Sequence, residues 1–317
     1  MRATLHTIEL VIRLSIAVLG VLCCFPDASI ATTKTVVVIA SQINGPYQEV
    51  ISGIQQTLAQ AGESAPLTIL SSDGDGTQIP VLLQQVKHSA AGVVVTLGTL
   101  ATQAVVQANL EIPLVATLIL NDKDIQHARD ATAVVLDFPA ATQFQWLKRF
   151  LPHQTAVGVL FNPKANQDFI SKVLPEAPHF GMKLITREVN TPQELPEALA
   201  SLTRRAEVLW GIADPIALSP QASESLLLSS FHNRIPFIGP STAWVKAGAL
   251  YALDRDYRDI GAQCGEVILK ILHGSRASEI PPTPPRNIVY AVNLKTAAHM
   301  KITMPPELIE GANQIFR

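Results

Sequence analysis

The stretch AAGVVVTLGTLATQAVVQA, residues 90–108, decides the fold. Its first half, Val93 to Leu97, is apolar and β-branched with almost no polar relief, as in a strand covered on both faces. After Gly98 the pattern changes. Ala101, Ala104, Val105 and Ala108 recur at helical spacing, with no proline or charge marking the switch. A buried strand feeding a helix through one glycine is half of a βαβ unit. The open question is whether Gly98-Thr99 is only a turn or a place where something binds.

The same alternation runs outward from this stretch. TVVVIASQ (35–42), PLTILSS (66–72), PLVATLIL (113–120) and TAVVLDF (132–138) read as further strands. Segments 47–62 and 77–89 read as the helices between them, with Val50, Ile51, Ile54 and Leu58 sharing a face and Gly62 as a stop. The pattern then restarts. A helix over 138–152 ends at Pro152, and strands follow at 155–162, 183–189, 206–214 and 236–241, with helices near 191–204 and 216–231. Residues 248–274 add one more strand and a long helix closed by Gly274. EIPPTPPR (279–286) leads to a last strand at 287–293. Two α/β units in series, each around a parallel sheet, follow from this order.

The chain has 317 residues, 48% hydrophobic and 5% aromatic, with net charge −2. There is no basic cluster, so a nucleic-acid partner is not expected. The N-terminal residues stand apart. Arg2 and Arg13 precede an apolar run from Leu14 to Phe25, and Ser29-Ile30-Ala31 offers small residues for cleavage. This is the layout of a secretory signal over residues 1–31, too short in its uninterrupted part to span a membrane. Cys23 and Cys24 raise a lipoprotein anchor, but Gly20-Val21-Leu22 lacks the small residue expected just before such a site. Cleavage after Ala31 leaves Cys264 as the one cysteine, so no internal disulfide is expected, which fits a periplasmic location.

Ligands of parallel α/β sheets bind at the carboxyl ends of the strands. Five turns there carry small or polar residues: 41–47, 97–101, 160–167, 211–217 and 239–244. Free backbone N–H groups at each following helix favour an anion. Thr99 adds a hydroxyl; taken alone the turn is better explained by a plain N-cap role, and it is the five similar turns together that point to a shared cleft. Tyr47, Phe161, Trp210 and Trp244 sit in or beside these turns and offer faces for stacking on an organic ligand, or simply packing. Signatures of catalysis are missing. The histidines form no metal-like pair, and no nucleophile elbow, P-loop or dinucleotide fingerprint is present. SDGDGT (72–77) begins like a calcium loop but lacks the later ligands, and DRDYRD (254–259) reads as a capped helix start. No metal, cofactor or enzymatic activity is expected.

The segments TLGTLATQA, EIPLVATLI, LKRFLPHQTAVGVLFNPKANQ, RIPFIGPSTAWVKAGALYALDRDYRDIGAQCGEVILKILHG and NLKTAAHMKITMPPELIEGA occur in this order. Together they resemble the ABC-transporter substrate-binding family that includes tryptophan- and tyrosine-type binding proteins. The resemblance implies a periplasmic-binding-protein type I fold, α/β with two Rossmann-like lobes joined by a three-crossing hinge. It implies lobe one at 34–138 plus 249–274 and lobe two at 139–248 plus 275–317. It further implies a small organic, amino-acid-like ligand between the lobes, held by Asn44, Tyr47, Gly98, Thr99 and Leu100 on one side. Phe161, Asn162, Asn166, Gln167 and Asp214 would lie on the other, with Trp244 near a crossing. In this reading Thr99 and neighbouring amides hold a carboxylate and Asp214 takes an ammonium group. The implied partner is the membrane permease of an ABC importer, or in the alternative a sensory membrane protein; the protein would act as a monomer. Two segments depart from the family pattern: Gln167 stands where a serine is common, and LILNDKDIQHARD (118–130) is charged and glycine-free.

Overall fold

The computed structural model describes residues 34–317. The expected signal over residues 1–31 lies outside the described residues. Five strands form the first sheet: β1 (Thr35–Ala40), β2 (Leu67–Ser71), β3 (Ala91–Leu97), β4 (Leu114–Thr117) and β5 (Ala131–Val134). All are parallel, in the order β2-β1-β3-β4-β5. Helices α1 (Pro46–Gln60), α2 (Ile79–Lys87) and α3 (Thr99–Ala108) connect the first four strands. Strand alternation sorts the core. Val36, Val38 and Ala40 face α1, while Val37 and Ile39 face α2 and α3.

The second sheet has seven strands in the order β12-β11-β10-β9-β8-β6-β7. They are β6 (Ala156–Phe161), β7 (Lys183–Glu188), β8 (Val208–Trp210), β9 (Phe237–Gly239), β10 (Tyr251–Arg255), β11 (Ile288–Asn293) and β12 (Gln314–Phe316). β11 runs antiparallel to β10, and β12 runs parallel to β11. Helices α4 (Ala140–Phe150) and α5 (Pro163–Val173) pack on one face through Phe144, Leu147, Phe150 and Ile170. Helices α6 (Leu195–Thr203) and α7 (Pro220–Asn233) pack on the other through Leu199, Leu202 and Leu226. Smaller helices α8 (Thr242–Ala247), α10 (Leu294–Met300) and α11 (Pro306–Glu310) also pack on the second sheet, whereas α9 (Tyr257–Leu272) belongs to the first.

α9 packs on the first sheet although the strand before it does not. β10, expected with lobe one, is hydrogen-bonded between β9 and β11 in the second sheet. The chain therefore crosses back near Asp256, not at 249. What draws α9 across is a seam of small residues. A Cβ on Gly53 of α1 would run into the Arg258 carbonyl, and one on Gly261 into the Val50 carbonyl. One on Gly265 would fall 2.7 Å from Thr57 Cβ. Backbones this close let Ile260, Cys264 and Ile268 reach the core under β1 and β3. The segment after α9 also stays with the first sheet longer than expected. Ala277 is buried in that core, and Thr283 bridges Val134 beside β5. The chain then passes to β11, the last of three passages, after those at 135–139 and near 256.

Candidate functional site

The strand orders place a switch point in each sheet. In the first, β2 lies on one side of β1 and β3 on the other, so a crevice opens between the carboxyl ends of β1 and β3. In the second, β7 and β8 flank β6, so the crevice opens between β6 and β8. Such reversals are where open parallel sheets take ligands. The residues of interest collect at these two points.

At the first, α3 starts at Gly98, whose φ of 92° only glycine adopts without strain. A Cβ there would lie 2.8 Å from Ser41 Oγ and 2.9 Å from the Tyr47 hydroxyl. Gly98 offers no capping side chain, so Ser41, from the end of β1, supplies one: its Oγ accepts from the Ala101 amide at 3.1 Å. The Thr99 and Leu100 amides have no such partner from Ser41. Tyr47 is half-buried, and burial raises its hydroxyl pKa. Asn44 is exposed and hydrogen-bonded to Gln42. Three large aliphatic side chains stand exposed at adjoining strand ends, Ile43, Leu100 and Leu120, each more than 40% accessible. An apolar face of this kind suits an organic ligand body.

Thr99 is exposed, and its hydroxyl points toward Asp124 Oδ2 at 3.5 Å; the other oxygen of that carboxylate accepts from Gln103 Nε2 at 2.9 Å. The chain thus sets a carboxylate of its own beside the turn expected to hold a ligand's. Asp124 belongs to the charged segment that departs from the family pattern.

The second switch point is of another kind. Asp214 is 6% exposed and its carboxylate accepts four hydrogen bonds. Oδ2 takes the Asn162 amide at 2.6 Å and Asn166 Nδ2 at 2.8 Å; Oδ1 takes the Ile216 and Ala217 amides at 2.9 and 2.8 Å. Two carboxylate oxygens have about four lone-pair sites, so none is left for a ligand ammonium. Asp214 ties the start of α5 to the 213–217 turn, and this turn replaces the first residues of the helix expected from 216. Asn162 is buried as well, its Nδ2 donating to the Val189 carbonyl at 2.9 Å. Phe161, expected on the ligand side, is 2% exposed in the core with Val157 and Val159, whose parity along β6 it shares. Gln167 is exposed and bonded to Ser171. Trp244 is half-buried, edge-on to Phe237 at 5.5 Å.

Sequence reasoning missed Ser41 and Asp124. It also missed the pair that joins the two edges: Lys123 Nζ lies 2.9 Å from Asp168 Oδ2 of α5. Ser41 ends the first apolar run, and that position was the available signal. The pairings of Lys123 and Asp124 span 45 and 21 residues, and no local pattern predicts them. Among the described residues, no group of three or more histidines, cysteines and carboxylates is placed to hold a metal ion, and no helix is long and apolar enough to cross a membrane.

Comparison with known proteins agrees with this architecture. A protein of Rickettsia prowazekii (strain Madrid E), uncharacterized protein RP367, is 20% identical over 274 residues, covering 84% of this chain and 85% of its own. The structure of an ABC domain in complex with L-Trp from Streptococcus pneumoniae superposes with a TM-score of 0.63 at 21% identity, over 90% of this chain and all of that one. The ligand-free, open structure of CD0873, a substrate-binding protein with adhesive properties from Clostridium difficile, gives a TM-score of 0.75 at 19% identity, over 89% of this chain and 99% of that one. These likenesses show the fold, that of type I periplasmic binding proteins. The family model described as ABC transporter substrate binding protein matches residues 31–316. The chain belongs to the ABC transporter substrate-binding protein family.

Proposed function

We propose that the protein is exported, captures a small organic ligand between its two sheets and delivers it to the permease of an ABC importer. The observation that carries this reading is the pair of switch points, one in each sheet, with Lys123 and Asp168 meeting between them. The moving bodies would be the first sheet with α1–α3 and α9, and the second sheet with the remaining helices. Closure would follow ligand binding as a population shift about the three passages.

The two sides divide the work. Ile43, Leu100, Leu120 and Tyr47 offer a largely apolar bed, and the amides of Thr99 and Leu100, which find no acceptor among the described residues, offer donors. Asn44 and Gln167 are exposed polar groups able to turn toward a ligand. Asp214, Asn162 and Asn166 hold the opposite wall in place. Because Asp124 stands beside Thr99, a neutral or cationic ligand suits the first side better than a bare carboxylate.

The test is a thermal-shift screen with amino acids, their amides and amines, purines and other small metabolites, using L-tryptophan and tryptamine as the first matched pair. A true ligand at 100 times its dissociation constant stabilises the fold by ~2.7 kcal/mol. A midpoint unmoved by every compound counts against the reading. A compound turned over into product would replace it with an enzyme.

A further inference from the structure

The departing segment after β4 contains the contact between the two sheets' edges. Asn121 caps a short 3₁₀ turn, Asp122–Ile125, its side chain accepting from the Lys123 amide at 3.2 Å. Lys123 then reaches Asp168 on α5, and this ion pair holds the Asp168 carboxyl below its usual range. Asp124 reaches back to Gln103 on α3. The segment is therefore fastened to the first sheet on one flank and to the second on the other.

Its base is fastened to the hinge. The Ile119 and Leu120 carbonyls accept from the Leu136 and Asp137 amides at 2.8 and 2.9 Å, on the first passage between the sheets. Leu136 in turn accepts from Arg255 Nε at 2.8 Å, at the second passage. The Asn121 side chain stands close enough to Asp137 to lower its carboxyl pKa, against the larger effect of burial, which raises it. Leu118, which leads into the segment, sits at φ 55°, a left-handed conformation that a leucine adopts only when its surroundings impose it.

We infer that residues 119–125 form a built-in latch, in which the Lys123–Asp168 pair biases the ligand-free protein toward a closed arrangement of its two halves. The inference rests on the two-lobed reading above but needs no ligand to operate. Both side chains are largely exposed, at 50% and 70%, so the bias is small and screened by salt. That suits a latch, because a strong one would prevent the cleft from opening to load.

The test follows the ligand-free full-length chain by distances between two spin labels. Cysteines replace Lys87 on α2 and Glu197 on α6, in a background with Cys23 and Cys24 changed to serine; Cys264 is buried, its thiol pushed up to about 12 by burial, and stays unlabelled. At low salt the parent should show a closed population that Lys123→Glu and Asp168→Lys each lower about two- to fivefold. The double variant Lys123→Glu/Asp168→Lys should restore it, and 1 M salt should abolish the difference. Identical distance distributions in all four proteins overturn the latch, as does a double variant that fails to recover. Because no ligand is added, an unsuccessful ligand screen leaves the outcome unaffected. A ligand-driven distance change that persists with no response to these substitutions would retain the transport reading and remove the latch alone.

Discussion

The two switch points of this protein solve the same problem in opposite ways. At β1/β3 the helix start is loosely served: one hydroxyl from another strand, a glycine with left-handed φ, and exposed aliphatic side chains around it. At β6/β8 a buried carboxylate gathers four donors, and Asn162 beside it is buried too, while the exposed residues of the two turns, Lys164, Gln167 and Pro215 among them, lie outside this node. A turn with spare amides can take on a ligand. A turn with every group satisfied resists deformation, which is what a reference wall requires. The difference separates the residues that receive a ligand from those that position it.

The strongest way to break this comparison is Asp214→Ala. It leaves the Asn162, Ile216 and Ala217 amides without their acceptor and Asn166 Nδ2 with the Ala213 carbonyl alone. A loss of about 3–5 kcal/mol in denaturant unfolding is expected, since each unmet buried donor costs about 1–3 kcal/mol before water relieves part of it. If the protein loses less than about 1 kcal/mol, Asp214 is not the node described. Gly98→Ala comes next. The new methyl meets Ser41 Oγ and the Tyr47 hydroxyl in a backbone conformation that disfavours it, so about 1–3 kcal/mol should be lost. An unchanged midpoint would mean the turn is softer than drawn here. Ser41→Ala removes the borrowed cap of α3 and should cost about 1 kcal/mol by the same measurement, with the Ala101 amide exchanging faster with solvent.

The smallest effect lies where the halves join. Burial raises the Asp137 carboxyl pKa, and the nearby Arg255 charge and the Asn121 side chain only partly offset this. A raised folded-state value means the native state prefers the protonated acid. Its contribution is then present at low pH and lost as pH rises through that value. Asp137→Asn should therefore stabilise the protein near pH 7 by under about 1 kcal/mol after allowance for solvent screening. The gain should shrink as pH falls toward the ordinary aspartate value of about 3.9. A variant that is less stable at neutral pH, with the deficit constant across the range, would show that the Arg255 attraction outweighs burial.

Much of this was legible in the residues. Consecutive β-branched runs alternating with helical spacing give both sheets, and the turns at 41–47, 97–101, 160–167 and 211–217 do fall at the switch points. Phe161 could have been assigned to the core, because it shares parity with Val157 and Val159. The destination of the 251–255 strand could not be read, because an apolar strand does not announce which sheet edge it joins. The course of α9 was half visible: Gly261 and Gly265 stand one helical turn apart, but their meaning depends on Gly53 and Thr57, some 200 residues earlier. The saturation of Asp214 was hidden for the same reason, since two of its four donors lie about 50 residues away.

The central claim is that a small molecule draws the two sheets together at their switch points. Small-angle scattering of the protein with and without a compound identified by the thermal-shift screen tests it most directly. The account predicts a smaller radius of gyration at saturation, reached with the same midpoint concentration as the thermal stabilisation. A bound compound that stabilises the fold while leaving the scattering curve unchanged would contradict it.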